Sequence, residues 1–304
     1  MKILVTGATG FVGSHLLKKL LPEHQITVLT RNIEKAQKEF ADKVDYLSDL
    51  NGLSELNDYD AVINLAGEPI VAKRWSPAQK DKICKSRWDI TQQISSLIQA
   101  SENPPNCLIS ASAIGFYGAR DKERLDEASA GREEFSHQVC KHWESHALSA
   151  QSNLTRVCVT RIGIVLGDNG GALAKMLPPF KLGLGGPIGH GEQGMSWIHI
   201  DDLTELMLYL LQSPQCKGIF NATAPNPVSN KDFATALGKA IQRPAFIPTP
   251  AIALKLAMGE MSELLTEGQF VYPGRTLLSG FQFRFPYIQD ALDNLFAKPE
   301  LCHN

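Results

Sequence analysis

The sequence predicts an α/β fold, a doubly wound parallel sheet with a smaller C-terminal region beside it. Three observations support this. Through the first half of the chain, short apolar runs alternate with longer amphipathic segments, the pattern of parallel strands wrapped by helices. The first run ends in a glycine-rich turn that leads directly into a helix-period segment. The chain of 304 residues, 43% hydrophobic and 20% charged, has ordinary globular composition and the length to bury a sizeable core.

Strands are expected at residues 2–6, 26–30, 44–47, 61–65, 107–112 and 157–162, each a short apolar run. Between them, apolar residues recur at three- and four-residue intervals over 12–21, 77–100 and 133–150, predicting amphipathic helices. From 163 to 194 glycine is frequent, which reads as loop and a cap over the sheet's edge. A helix is expected at 201–212, a strand at 218–222 and a helix at 230–241, after which Pro244, Pro248 and Pro250 lead into a closing segment at about 248–297. The expected organisation is a sheet domain over 1–165, which the strand at 218–222 is able to rejoin, and a substrate-side and C-terminal region over 166–304.

Composition narrows the function classes. A net charge of −2, with lysines and arginines scattered, predicts no nucleic-acid partner. Cys84, Cys107, Cys140, Cys158, Cys216 and Cys302 show neither a CxxC pair nor a Cys/His run, so the expectation is no metal site and reduced thiols in a cytoplasmic protein. The N-terminal apolar run is too short for a signal-peptide core, and no apolar stretch is long enough to span a membrane.

The glycine-rich turn carries the strongest chemical signal. Gly7, Gly10 and Gly13 stand at G-x-x-G-x-x-G spacing between the first strand and the first helix. One glycine permits the sharp turn, the next lets the backbone approach a pyrophosphate, and the third lets helix and strand pack closely while the helix N-terminus faces negative charge. This predicts a Rossmann-type dinucleotide site. At the end of the second strand, where an acidic residue would meet the ribose hydroxyls of NAD, the sequence has Arg31, which favours NADP(H) over NAD(H).

Together with this turn, Asn64-Leu65-Ala66-Gly67 after the fourth strand and the run from Ser110 through Ser112 to Tyr117 and Gly118 after the fifth resemble the extended short-chain dehydrogenase/reductase superfamily. More narrowly, the chain resembles the YfcH-like epimerase proteins of the NAD-dependent epimerase/dehydratase group. Glu68-Pro69, Ser86-Arg87, Arg161 to Gly167, Gly183 to Gly189, Trp197 to Leu203 and Pro273 to Phe281 also carry the resemblance. It implies NADP(H) lying across the strand ends, with Gly7, Thr9, Gly10, Phe11, Val12 and Gly13 forming the turn beneath it. Thr30 and Arg31 would lie near the adenosine phosphate and Asp49 and Leu50 by the adenine. Leu65, Ala66 and Gly67 would follow the ribose and pyrophosphate, with Glu68 and Arg74 beyond them; Glu68 also reads as an ordinary loop carboxylate.

The catalytic signature is incomplete. The resemblance implies a tyrosine that supplies a proton, a lysine four residues later that lowers its pKa, and a serine or threonine that orients substrate. Ser112 fills the last role. Where Tyr-x-x-x-Lys should open the long helix, the chain reads Phe135-Ser136-His137-Gln138-Val139-Cys140-Lys141. His137 and Lys141 have the right separation; a register set on Glu144 would instead place Ser136 and Cys140 there. Tyr117 is the other candidate acid, with loop packing as its alternative reading. Cys140 reads as a buried thiol.

Further along, Asp201 and Asp202 are expected to cap a helix, and His199 faces either substrate or core. The glycine-rich stretch with His190 and Glu192 reads as a substrate loop or as a flexible connection. Arg161 would meet an anionic substrate or pair with a carboxylate, and Phe281, Phe283 and Phe285 alternate like a half-buried strand. Two functions fit: an NADP-dependent oxidoreductase or epimerase acting on a small, sugar-like molecule, or a catalytically silent NADP(H)-binding sensor or scaffold. A homodimer is left open.

Overall fold

The computed structural model describes residues 1–120, 122–168 and 170–297. In chain order its elements are β1 (Lys2–Thr6), α1 (Phe11–Leu20), β2 (Gln25–Leu29), α2 (Ile33–Phe40), β3 (Asp45–Leu47), β4 (Ala61–Asn64), α3 (Pro77–Ala100), β5 (Cys107–Ala113), β6 (Arg124–Leu125), α4 (Phe135–Leu148), β7 (Arg156–Ile162) and β8 (Ile164–Leu166). There follow α5 (Gly171–Lys181), β9 (Gly194–Met195), β10 (Trp197–His199), α6 (Ile200–Gln212), β11 (Gly218–Ala222), β12 (Val228–Ser229), α7 (Asn230–Ala240), α8 (Ala251–Met258), α9 (Glu263–Thr266), β13 (Phe270–Val271), α10 (Gly274–Leu278) and α11 (Ile288–Phe296). Among these helices, none is long and apolar enough to cross a membrane.

Seven strands form one parallel sheet in the order β11-β7-β5-β4-β1-β2-β3. The direction of winding reverses at β1, between β2 and β4, which opens a crevice at the strands' carboxyl ends. Both faces are covered, as an all-parallel sheet requires. On one face Leu16, Leu17 and Leu20 of α1 and Leu203, Leu206 and Leu210 of α6 pack on Ile3, Val5 and Val28. On the other, Ile94, Leu97 and Ile98 of α3 and Ala147 of α4 pack on Leu4, Val62, Leu108 and Val157. A second, smaller core gathers α5, α7 and α11 around Trp197, Phe180 and Phe233.

The expected strands are present with ends shifted by a residue or two, and the segment 218–222 does rejoin the sheet, as its edge strand β11. Three expectations are corrected. The glycine-rich stretch is not all loop, because α5 lies within it; Leu173, Leu177 and Phe180 supply its buried stripe at helical spacing. No strand forms at 281–285: Phe281 enters the sheet core beside Tyr209, while Phe285 turns into the second core and stacks on His199. The cap of α6 is His199, whose Nδ1 accepts the Asp201 N–H at 3.0 Å, and not either aspartate. The Asp202 carboxylate instead accepts the backbone N–H groups of Arg284 and Phe285 at 2.8 and 2.9 Å, tying the C-terminal segment down. Cys302 lies outside the described residues; the other five cysteines are free thiols.

Among the described residues no strand lies beside the outer edge of β11, and side chains of the C-terminal segment occupy its backbone groups. Arg275 donates to the carbonyls of Lys217 and Ile219 (2.9 Å each), and Thr276 Oγ1 donates to that of Asn221 (2.8 Å). Glu127 accepts the Asn221 N–H through one oxygen and the Arg275 N–H through the other.

Candidate functional site

The turn after β1 is built so that only glycine fits at its ends. Gly7 has φ +67°, and a Cβ there would fall 2.5 Å from the Leu65 carbonyl oxygen. A Cβ on Gly13 would fall 2.3 Å from the Gly7 carbonyl oxygen, so α1 could not approach β1 with any side chain in that place. Gly10 caps α1 without a side chain, leaving the first-turn N–H groups free to meet an anion. The Phe11 ring fills the space over Gly167, Gly170 and Gly171, which joins the turn to the loop entering α5. Thr9 and Val12, partly buried, complete the turn.

Beside it, the Thr6 hydroxyl donates to Asn64 Oδ1 (2.7 Å) and accepts the N–H groups of Leu65 and Ala66 (3.1 Å each). These bonds hold the strand end from Leu65 to Gly67 alongside the glycine turn as the second wall of the crevice. At the end of β2 the Thr30 hydroxyl accepts the Asn32 N–H (3.2 Å), Asn32 caps α2, and Arg31 stands exposed between them. Asp49 is exposed and accepts the Asn51 N–H, while the Leu50 side chain is buried in the core beneath it.

Glu68 pairs with Lys82 at 2.9 Å, and its carboxyl is held below the usual range chiefly by that hydrogen bond, with Arg31 adding a smaller attraction. The Arg74 guanidinium lies against Gly259, where a Cβ would fall 2.9 Å from Nη2. It thus reaches the closing segment, where Lys80 also pairs with Glu260.

At the carboxyl ends of β5 and β7 two of the candidate catalytic groups, Ser112 and Tyr117, meet in one buried network. Ser112 Oγ donates to Glu144 Oε1 at 2.7 Å. Arg161 clamps the same carboxylate through Nε and Nη2, both at 2.8 Å, and donates through Nη1 to the Tyr117 hydroxyl at 3.0 Å. That hydroxyl donates in turn to Asn221 Oδ1 at 2.6 Å. Arg161 is 2% exposed, Glu144 4% and Tyr117 0%, and the guanidinium lies 3.4 Å over the Phe116 ring. Burial pushes the Tyr117 hydroxyl up to about 12, against the opposing influence of Arg161. A phenol so placed keeps its proton at neutral pH.

The helical pair does not converge on this network. His137 is buried, and its Nδ1 donates to the Phe116 carbonyl at 2.5 Å, whereas Lys141 points outward to Glu133 at 3.2 Å. Ser136 and Cys140 of that helix face the turn after β5, with a Cβ on Gly115 falling 3.1 Å from Ser136 Cβ and 3.8 Å from Cys140 Sγ. Burial pushes the Cys140 thiol up to about 11.

His190 and Glu192 are exposed, and the loop carrying them is pinned, because Gln193 Nε2 donates to the carbonyls of Ile188 and Leu265 (3.0 Å each).

Sequence reasoning named Arg161 without its partner, used Glu144 only to set a helix register and passed over Asn221. A signal existed for Glu144. It stands on the apolar stripe of α4 with Cys140, Trp143 and Ala147, and a carboxylate in such a stripe demands a buried cation.

The arrangement has known counterparts. The family model described as NAD dependent epimerase/dehydratase matches residues 3–222. The chain belongs to this family. Within this epimerase/dehydratase chain, residues 249–295 match a second model, a domain of unknown function, which corresponds to the segment that covers β11. A relative from Arabidopsis thaliana, epimerase family protein SDR39U1 homolog, chloroplastic, is 42% identical over 96% of this chain and 86% of its own. Epimerase family protein YfhF of Bacillus subtilis is 35% identical over 98% of both. The crystal structure of human epimerase family protein SDR39U1 (isoform 2) with NADPH superposes with a TM-score of 0.89 at 35% identity, covering 97% of this chain and 99% of that one.

Proposed function

We propose that this epimerase/dehydratase family protein binds NADP(H) across the carboxyl edge of its sheet. The reading rests on the glycine turn, whose two ends exclude any Cβ, set beside an exposed Arg31 at the end of β2. The related human protein crystallised with NADPH supports it. In this reading the N-terminus of α1 meets the pyrophosphate and Arg31 meets the 2′-phosphate.

When bound, the nicotinamide would accept or donate hydride. The Ser112 hydroxyl donates its hydrogen bond to Glu144, so its oxygen is left as an acceptor for a substrate hydroxyl. On this basis the protein is an oxidoreductase or epimerase for a small hydroxylated molecule of sugar type, in a compartment that keeps its thiols reduced. One observation favours a second reading, a binding protein without turnover: the Tyr117 and Ser112 hydroxyls are both bound inside a buried network, and no Tyr-x-x-x-Lys pair stands beside them.

Calorimetric titration tests the cofactor. NADPH should bind at least about tenfold more tightly than NADH, and Arg31→Ala should erase the difference. Equal affinities, or a preference untouched by Arg31→Ala, would overturn the assignment. Absorbance at the nicotinamide band during a screen of nucleotide sugars and carbonyl compounds separates turnover from silent binding.

A further inference from the structure

Helix α8, Ala251–Met258, reads AIALKLAM, apolar except for Lys255, yet none of its residues is buried. A helix apolar on every side is ordinarily covered. Here Ile252 and Leu256, one turn apart, are 72% and 77% exposed. Beside the helix, residues 182–189 run along 244–251. The N–H groups of Ile247 and Thr249 donate to the carbonyls of Gly185 and Pro187 (3.1 and 2.8 Å), and that of Gly189 donates to the Thr249 carbonyl (2.9 Å). Leu182, Leu184, Phe246 and Ile247 are exposed on these two strips. Six of the ten large exposed apolar residues of the described chain thus gather on α8 and its neighbours, a concentration that marks an interaction surface where scattered residues would not.

The charge of this surface is one-sided. The chain as a whole is slightly acidic, at −2, yet residues 171–191 and 233–259 contain no aspartate or glutamate and carry Lys175, Lys181, Lys239, Arg243 and Lys255. Among the described residues none of these five cations makes an ion pair. Asp293 of α11 lines a hollow with Lys181 and Arg243 and takes a hydrogen bond from Gln289 (2.7 Å), and Glu260, past the end of α8, pairs with Lys80. A second copy of the chain docked face to face would set these cations against their own kind. An anionic lipid surface answers both properties at once, its phosphates meeting the cations and its acyl boundary the apolar side chains.

We propose that α8 and the strips beside it form a docking surface for an anionic lipid bilayer, with Phe246, Ile252 and Leu256 entering the acyl boundary and Lys181, Arg243 and Lys255 at the level of the phosphates. The helix lies on the bilayer, being far too short to span it. The surface is independent of what the crevice binds.

The test is sedimentation of the full chain with vesicles of phosphatidylcholine alone and of phosphatidylcholine with about one-third phosphatidylglycerol. The anionic vesicles should bind at least about tenfold more tightly, and salt should weaken them. Ile252→Asn/Leu256→Asn and, separately, Lys181→Gln/Arg243→Gln/Lys255→Gln should each weaken that binding by about 10- to 100-fold. Leu278→Asn, at an exposed apolar residue outside the surface, should change it by less than about twofold. All these positions are exposed, and melting curves confirm that each variant folds. No binding to the anionic vesicles, equal binding to both kinds, or equal losses from Leu278→Asn and the α8 variant would overturn the proposal. So would a dimer in sedimentation velocity that Ile252→Asn/Leu256→Asn dissolves without any vesicle binding, which would assign the surface to a second copy.

Discussion

Removing the Glu144 carboxylate should be among the most damaging single changes in this protein. Arg161 is 2% exposed, and Glu144 is its sole carboxylate partner among the described residues. Glu144→Ala strips the guanidinium of two 2.8 Å charge-assisted bonds and deprives Ser112 of its acceptor. Breaking one side of a buried pair costs about 3–5 kcal/mol, most of it from the charge left behind. On a scale of about 2 °C per kcal/mol for a chain of this size, Tm should fall by about 6–10 °C. The diagnostic comparison is with Glu144→Leu/Arg161→Met, which removes both charges and keeps apolar volume. That double variant should recover most of the loss, so the pair shows strong coupling in a double-mutant cycle read by denaturant unfolding. If Glu144→Ala costs less than about 1 kcal/mol, or if the double variant simply adds the two single losses, Arg161 is not desolvated as described and the reasoning fails.

Gly13→Ala should cost several kcal/mol or force α1 away from β1, since its Cβ would sit 2.3 Å from a backbone oxygen; lower Tm and at least about tenfold weaker NADPH binding are the readouts. Tyr117→Phe should lower stability by about 1–3 kcal/mol, because Arg161 and Asn221 each lose a buried partner, yet leave NADPH affinity unchanged in titration. His199 gives a pH signature: burial lowers its pKa to about 4 from an ordinary 6.5, with Asp201 opposing the fall. The unfolded chain therefore takes up that proton first, and stability drops as pH falls from about 6.5 toward 4, by at most about 3 kcal/mol. His199→Asn, which can still cap α6, should flatten that part of the pH dependence in urea titrations.

The sheet and its crevice were legible because their determinants are local. Apolar period separates strand from helix, and Gly7 and Gly13 declare a turn that tolerates no side chain. α5 was hidden because glycines crowd both its ends and prolines 178 and 179 interrupt it, so composition outweighed the period of Leu173, Leu177 and Phe180. The aromatic alternation at Phe281, Phe283 and Phe285 misled for a different reason. Phe281 and Phe283 pack edge to face in the sheet core while Phe285 turns into the second core, so the spacing of two reflects no pleat. The polar network was least legible, since it joins residues from β5, α4, β7 and β11 whose contact depends on sheet order. Ser112 and Tyr117 were picked out as chemical groups, and only the strand order reveals Glu144 and Asn221 as the partners that engage them.

The covered edge of β11 has a consequence for the chain's growth and upkeep. A seven-stranded sheet that ended in bare carbonyls there would offer a ready seat for a strand from any neighbouring molecule. Arg275, Thr276 and Glu127 occupy that seat from within, and Asn221 links it to the Tyr117–Arg161–Glu144 network. Ribosomal synthesis delivers this stopper late, after every strand of the sheet. Until residues near 275 emerge, the nascent domain carries an adhesive rim, and a stalled or clipped product lacking them would stack edge to edge with its siblings.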